Sequence, residues 1–140
     1  MHESVYTLKP MKNHLDLREC VDCYCLAARR KAREITRLYD QYLRAHGLRS
    51  TQFSVLVALA QSENVPLGRL AHALGLERTT LTRSTALLER RGWIRSDAAT
   101  DARVRPLRLT RSGRQKLEAA YKSWKNAQLA AEKKFVMRKI

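Results

Sequence analysis

Between residues 66 and 109 the apolar pattern changes period, and no other feature of the chain constrains its fold as tightly. Leu67, Leu70, Ala71 and Leu74 recur at three- and four-residue steps, the spacing of one helix face. Pro66 opens that segment, where its missing N–H costs nothing, and Gly75 closes it. A second helical segment begins near Glu77 or Arg78 and stops before Gly92, with Leu81, Thr85 and Leu88 along one side. Beyond Gly92 the period drops to two. Residues 93–96 and 106–109 read as short strands, and Leu107 and Leu109 alternate with Pro106 and Arg108 as in a sheet with one buried face. The polar stretch 97–105 between them makes a hairpin with a long loop.

Upstream, a long helix is expected over 20–45, with Ala28, Ala32, Ile35, Leu38, Tyr39 and Tyr42 as its apolar stripe and Gly47 as its stop. Ser50 is expected to cap the next helix, whose stripe is Phe53, Leu56, Val57 and Ala60, and residues 62–65 to form a turn. Downstream, Thr110 is expected to cap a last helix with Leu117, Ala120, Tyr121, Trp124 and Ala127 on its buried side. Three helices followed by a two-stranded hairpin, with a tight turn between the second and third, is the winged helix-turn-helix order. The expected fold class is therefore mostly α with a small β-hairpin wing, a winged helix-turn-helix with long flanking dimerisation helices. Four segments follow: a flexible N-terminal arm over 1–18, a first dimerisation helix over 19–49, a DNA-binding lobe over 50–110 and a C-terminal dimerisation helix over 111–140.

The charge balance names a class of partner. The 140 residues carry 28 Lys+Arg against 13 Asp+Glu, a net charge of +15, which favours a polyanion such as DNA, RNA or an anionic membrane surface. Residues 77–114 hold ten arginines and no lysine against four acidic residues. Arginine presents the planar fork that suits phosphate, and it enters narrow minor grooves readily. The second helix of the pair is the expected recognition helix. Its hydroxyls at Thr79, Thr80 and Thr82 suit phosphates or base edges, and Arg78 and Arg83 suit phosphate or a bidentate pair with guanine. The bland alternative is a solvated helix face, which would more usually carry Glu and Lys.

At these residues the chain resembles the MarR family of bacterial transcription regulators. The resemblance covers about residues 20–130. It rests on Leu87-Leu88-Glu89-Arg90-Arg91-Gly92, on Asp101-x-Arg103, and on Leu107-x-Leu109-Thr110-x-x-Gly113. It implies a homodimer on a pseudopalindromic double-stranded operator, and repression relieved by a small ligand or an oxidant. It also implies that Asp101 braces the wing and that Arg103 at its tip enters the minor groove, with Arg105 beside them. Family members finish with two helices that interlock with the partner's first helix. Only about thirty residues follow Thr110 here, so a second terminal helix is expected to be short or absent after Lys134.

Cys20, Cys23 and Cys25 sit within six positions, and three readings of them stay open. Thiolates suit zinc or copper, although a four-ligand site would need His14, His2 or a residue of a second chain. The run from Cys25 to Tyr39 is also similar to the family's organic-peroxide-sensing branch. There a cysteine near the start of the first helix is oxidised and a tyrosine fourteen positions later hydrogen-bonds it; a second tyrosine of that branch would fall at Ser50. Cysteines at helix N-termini beside arginines, as Cys25 is beside Arg29 and Arg30, are the ones that react as thiolates. In the third reading the thiols pack near a dimer interface and are inert.

Other classes find little support. No Gly-rich phosphate loop, His-Glu-x-x-His or Ser/His/Asp context marks an enzyme, and no cofactor or resident metal is expected. No run approaches the length of a membrane span, and residues 1–12 lack the apolar region of a secretory signal. With an odd, clustered cysteine set, a reducing cytoplasm is the expected location. The rival function is an architectural winged-helix protein that binds DNA or RNA without sequence choice.

Overall fold

The computed structural model describes residues 15–97 and 105–135. The chain divides into two compact units, Met1–Thr36 and Arg37–Ile140. A 3-10 turn, Arg18–Asp22, precedes helix α1, Tyr24–Leu43. Then come α2 (Ser50–Gln61), β1 (Val65–Pro66), α3 (Leu67–Leu74), α4 (Arg78–Arg90), β2 (Ile94–Ser96), β3 (Pro106–Leu109) and α5 (Arg111–Phe135). Among the described residues no helix is long and apolar enough to cross a membrane.

In the first unit, α1 starts four residues later than its sequence predicts. Cys23 takes an extended conformation (ψ 117°), which separates the 3-10 turn from the helix. Cys20 therefore lies in the turn and Cys25 in the first turn of α1. None of residues 24–36 is buried, and the expected stripe residues Ala28 and Ala32 are exposed.

The second unit is a winged helix-turn-helix with an antiparallel three-stranded sheet in the order β1-β3-β2. Leu43, Leu56, Leu70, Leu81 and Leu88, each almost fully buried, form the centre of its core with Phe53, Val55, Ile94 and Leu107. Helix α2 is the hub. It buries Gln52, Phe53, Val55, Leu56 and Leu59, whereas the expected Val57 and Ala60 are half-buried. With α4, α5 and β3 around it, α2 has apolar residues on most sides and no clean helical period. The Phe53 ring stacks on Trp124 of α5 at 5.9 Å, and Trp124 stacks in turn on Tyr121. Tyr121 itself is 51% exposed, a correction to the expected stripe: α5 buries its small residues Gly113, Ala120, Ala127 and Ala131.

The helix-turn-helix corner follows from Gly75. Its φ of +61° is the left-handed region that only glycine enters without strain. That turn lets the Leu76 N–H donate back to the Ala71 carbonyl at 3.0 Å, and so closes the end of α3. The cap of α2 is not Ser50 but Arg49, which holds the extended backbone of an N-cap residue. Its N–H donates to Gln52 Oε1 at 3.0 Å, while the Ser50 N–H donates to Asp40 Oδ1 of α1 at 2.7 Å. A carboxylate at a helix N-terminus offsets the orphan amides and the positive end of the helix dipole. Residues 62–64 bend as expected. The last residue of the expected turn, Val65, and Pro66, expected to open α3, instead form strand β1, and α3 begins at Leu67 with Pro66 as its N-cap. Strand β1 pairs Val65 with Leu107 and Pro66 with Pro106, a partnership forty residues away in the chain that local pattern does not announce.

Gly113 is a close-contact position. A Cβ there would be driven into the carbonyl oxygen of Trp93 and would stand 2.8 Å from Leu109 Cδ1. Gly113→Ala must therefore push α5 off the start of the wing. The expected loss of stability is about 1–3 kcal/mol, the usual cost of overpacking. Urea unfolding of the two chains measures it, and equal midpoints would show that α5 does not need this approach.

Candidate nucleic-acid interface

Helix α4 is seated by one face and free on the other. Leu81, Thr85 and Leu88 face the core, as their spacing predicts. The Thr85 hydroxyl donates to the Thr82 carbonyl at 3.1 Å, so this buried polar group is satisfied inside the helix. Arg78, Thr79, Thr80, Thr82 and Arg83 are all exposed. At 100° per residue, Thr79, Arg83, Ala86 and Arg90 form the line pointing directly away from the buried side. Arg90, not among the site residues expected from the sequence, stands on the same exposed line, as the spacing 79, 83, 86, 90 requires.

The hydroxyls differ in what they have left to offer. Thr82 Oγ1 donates to the Arg78 carbonyl at 2.8 Å. Its hydrogen is spent, so towards a partner it presents a methyl and an acceptor. Thr79 and Thr80 have no such bond among the described residues and keep both donor and acceptor.

The wing is anchored to α4 and α5 by backbone. Beyond Arg90 the chain turns at Gly92, and the Trp93 N–H closes onto the Leu88 carbonyl at 3.0 Å. Strands β2 and β3 pair Ile94 with Leu109, Arg95 with Arg108 and Ser96 with Leu107. Arg95 and Arg108 are like charges on directly opposed positions, an unfavourable cross-strand pair. Arg108 Nε donates to Asp97 Oδ1 at 3.0 Å and so takes a countercharge from the same hairpin. The Asp97 N–H closes the hairpin onto the Pro106 carbonyl at 3.0 Å. Arg105 is exposed at the start of this return strand. Asp101 and Arg103 lie outside the described residues.

Two basic hollows border α4 on its α2 side. The smaller, about 360 Å³, lies between α4 and the first turn of α2. The larger, about 660 Å³, is lined by Arg37, Arg44, Arg49 and Arg91, with Asp40 as its acidic group. The Arg91 guanidinium donates to the Gly47 carbonyl, and it also lies over the Trp93 ring, 5.1 Å from the centroid. Lys116 stands at the same distance from that ring. Each cation is attracted by the electron-rich face of the indole.

The expected redox residues occupy separate settings. Cys25 is exposed, and its Sγ accepts from Arg29 Nη2 at 3.6 Å, one helical turn on. Cys20 and Cys23 are half-buried. Among the described residues no group of three His, Cys, Asp or Glu side chains gathers to hold a metal ion. The Tyr39 hydroxyl is engaged with Gln128 Oε1 of α5. Burial, and then the negative charge of Glu132, push the phenol above its ordinary range, so at neutral pH it stays protonated and serves as donor.

Comparison with known proteins converges on one family. Residues 48–104 match the model of the MarR family, a span that holds α2, α3, α4 and the first strand of the wing. Over 77 residues, 53% of this chain, it is 39% identical to the transcriptional repressor MprA of Escherichia coli (strain K12). That alignment spans 44% of the repressor, less than half its length. The crystal structure of the M. tuberculosis transcriptional regulator MosR in complex with DNA is 38% identical, with a TM-score of 0.71, covering 80% of this chain and 82% of that one. Reduced AbfR bound to DNA is 25% identical with a TM-score of 0.67, covering 78% and 79%. The matched proteins are regulators of transcription, not enzymes.

Thr110 joins the wing to α5 through two bonds of one hydroxyl. Oγ1 donates to the Gly92 carbonyl at 2.6 Å and accepts from the Gly113 N–H at 3.0 Å. Thr110→Val keeps the shape and removes both. The expected cost is about 1–2 kcal/mol, the scale of a lost N-cap. It should be accompanied by faster amide exchange at Gly113; a thermal midpoint and exchange rate like those of the parent would show the hydroxyl to be dispensable.

Proposed function

The chain belongs to the MarR family of transcription regulators, and we propose on that premise that it is a sequence-specific repressor, binding a pseudopalindromic operator as a homodimer and released by a small ligand or an oxidant. The observation that carries this reading is the exposed Thr/Arg face of α4, held on a fully buried seat beside a basic hairpin. In this reading Arg78, Thr79, Thr80, Thr82 and Arg83 meet the major groove and its flanking phosphates. Asp101 braces the wing loop while Arg103 and Arg105 reach the adjacent minor groove. Residues 50–110 form the DNA-binding lobe, and helices within 19–49 and 111–140 form the dimer.

The exposure of α1 supports the dimer. Of its twenty residues only Leu43 is buried, and helices owe most of their stability to packing rather than propensity. Val21 and Tyr24, 49% and 91% exposed, add apolar surface at its start that a second copy would cover. Repression is supported by the likeness to MprA, which is itself a repressor.

Selection of bound sequences from a random duplex pool tests the reading. Two inverted half-sites about one helical turn apart are expected from a two-fold dimer, and affinity for them should exceed that for random duplex by roughly 10³-fold or more at physiological salt. No enriched sequence would leave an architectural binder instead. On the selected duplex, Arg83→Ala should cost about 1–3 kcal/mol of binding. Unchanged affinity would remove Arg83 from the interface.

Oxidant release has its own support. Cys25 is accessible, opens a helix and touches a guanidinium, and the solved AbfR–DNA complex holds that protein in its reduced form. A peroxide ROOH would oxidise the Cys25 thiolate to a sulfenic acid and leave as the alkoxide. The thiol of Cys20, Cys23 or a partner-chain cysteine would then displace water to form a disulfide. Organic peroxide should therefore release the wild-type complex in a gel shift and leave the Cys25→Ser complex bound. Equal behaviour of the two chains would make the thiol inert.

A further inference from the structure

A helix lying in the major groove is bordered by a phosphate strand on each side, because the groove is only about 12 Å wide. Both flanks of α4 therefore bear on binding. On the flank towards α2 lies the trough of about 360 Å³, lined by Arg49 and Thr51 from the start of α2 and by Thr80, Arg83 and Ser84 from α4. Past Leu87 and Gln52, which line both hollows, it meets the larger cleft, where Arg44 and Arg91 add positive charge. Arg49, Arg83 and Arg44 are exposed, and none has an ion-pair partner among the described residues. The acidic group of the cleft, Asp40, has Oδ1 turned to the Ser50 N–H. The trough thus gathers two arginines and three hydroxyl side chains beside α4, with no carboxylate among its lining residues.

We propose that this trough is a second DNA-binding site that holds backbone phosphates of the strand bordering α4, with Arg49 as its principal contact and Thr51 and Ser84 as hydroxyl partners. The proposal rests on the duplex-binding reading above and deepens it. It assigns the start of α2 to the interface, and it makes the contact one of charge, indifferent to base sequence. Arg49 contributes its backbone to the cap of α2, so its side chain can be exchanged without removing the cap.

The test uses the full chain and a labelled random-sequence duplex of roughly two helical turns, so that base readout does not enter. Binding is measured over about 50–200 mM salt, where each phosphate contact adds about 0.9 to the slope of log K against log salt. For Arg49→Gln the slope should become shallower by about one unit per bound subunit, roughly two for a dimer, with the melting temperature unchanged. Arg49→Lys, which keeps the charge, should retain the wild-type slope. An unchanged slope in Arg49→Gln overturns the proposal, as does an equal loss in both variants, which would mark a structural role. Melting in inorganic phosphate against chloride at matched ionic strength separates the other source of the same chemistry. Stabilisation that Arg49→Gln abolishes, with its duplex slope intact, would assign the trough to a free anion and overturn the DNA assignment. If the wild type binds no duplex at any salt, the duplex-binding reading itself fails; failure confined to Arg49→Gln touches only this site.

Discussion

The lobe is tied together at the backbone of Gly92 and Trp93. The Gly92 carbonyl takes the Thr110 hydroxyl, the Trp93 carbonyl takes the Thr110 N–H at 3.1 Å, and the Trp93 N–H returns to Leu88 near the end of α4. Gly113 lets the first turn of α5 rest directly on that carbonyl. Helix α4, the wing and the last helix therefore share one junction two residues long. Side-chain packing on Leu81, Leu88 and Ile94 gives the junction its stability, but the hydrogen bonds set its geometry. Apolar contacts tolerate small slides, whereas hydrogen bonds weaken steeply once distance or angle departs from the preferred range.

The same logic sets where charge is held and where it is offered. Arg108 and Arg91 are tethered, the first to Asp97 and the second to the Gly47 carbonyl and the Trp93 ring. Arg78, Arg83 and Arg90 on α4 have no such tether among the described residues and stand in solvent. The basic surface is thus made of both kinds, arginines held by neighbours and arginines open to solvent. The held arginines have little left to order towards a polyanion, although Asp97 offsets the charge of Arg108, whereas the solvent-exposed ones keep their full charge.

Legibility in the sequence followed burial geometry. Helices α3 and α4 bury one face, so Leu70, Leu81, Thr85 and Leu88 declare themselves by spacing, and β3 does the same through Leu107. Helix α2 is enclosed on most sides, so period could not separate Val55 and Leu59 from Val57 and Ala60. Strand β1 exists only because β3 pairs with it, and two residues carry no period of their own. Asp40 and Arg49 matter through neighbours ten and more than thirty residues away, Ser50 for the first and the Thr80–Arg83 turn for the second. Tyr121 fits the helical spacing but lies at the margin of the stripe, where a ring can stack on Trp124 and still face water.

The small sheet also bears on how copies of this chain can meet. Exposed strand edges are templates for unwanted pairing, and proteins blunt them by keeping them short or placing proline there. Here β3 is covered on both sides, one outer strand has three residues, and the other has two, of which Pro66 carries no N–H to donate. A sheet trimmed in this way gives a neighbouring chain almost nothing to extend. Among the described residues, a contact between copies would therefore fall to side chains on helices, whose contacts can be tuned residue by residue, rather than to backbone, which would accept any strand that arrived.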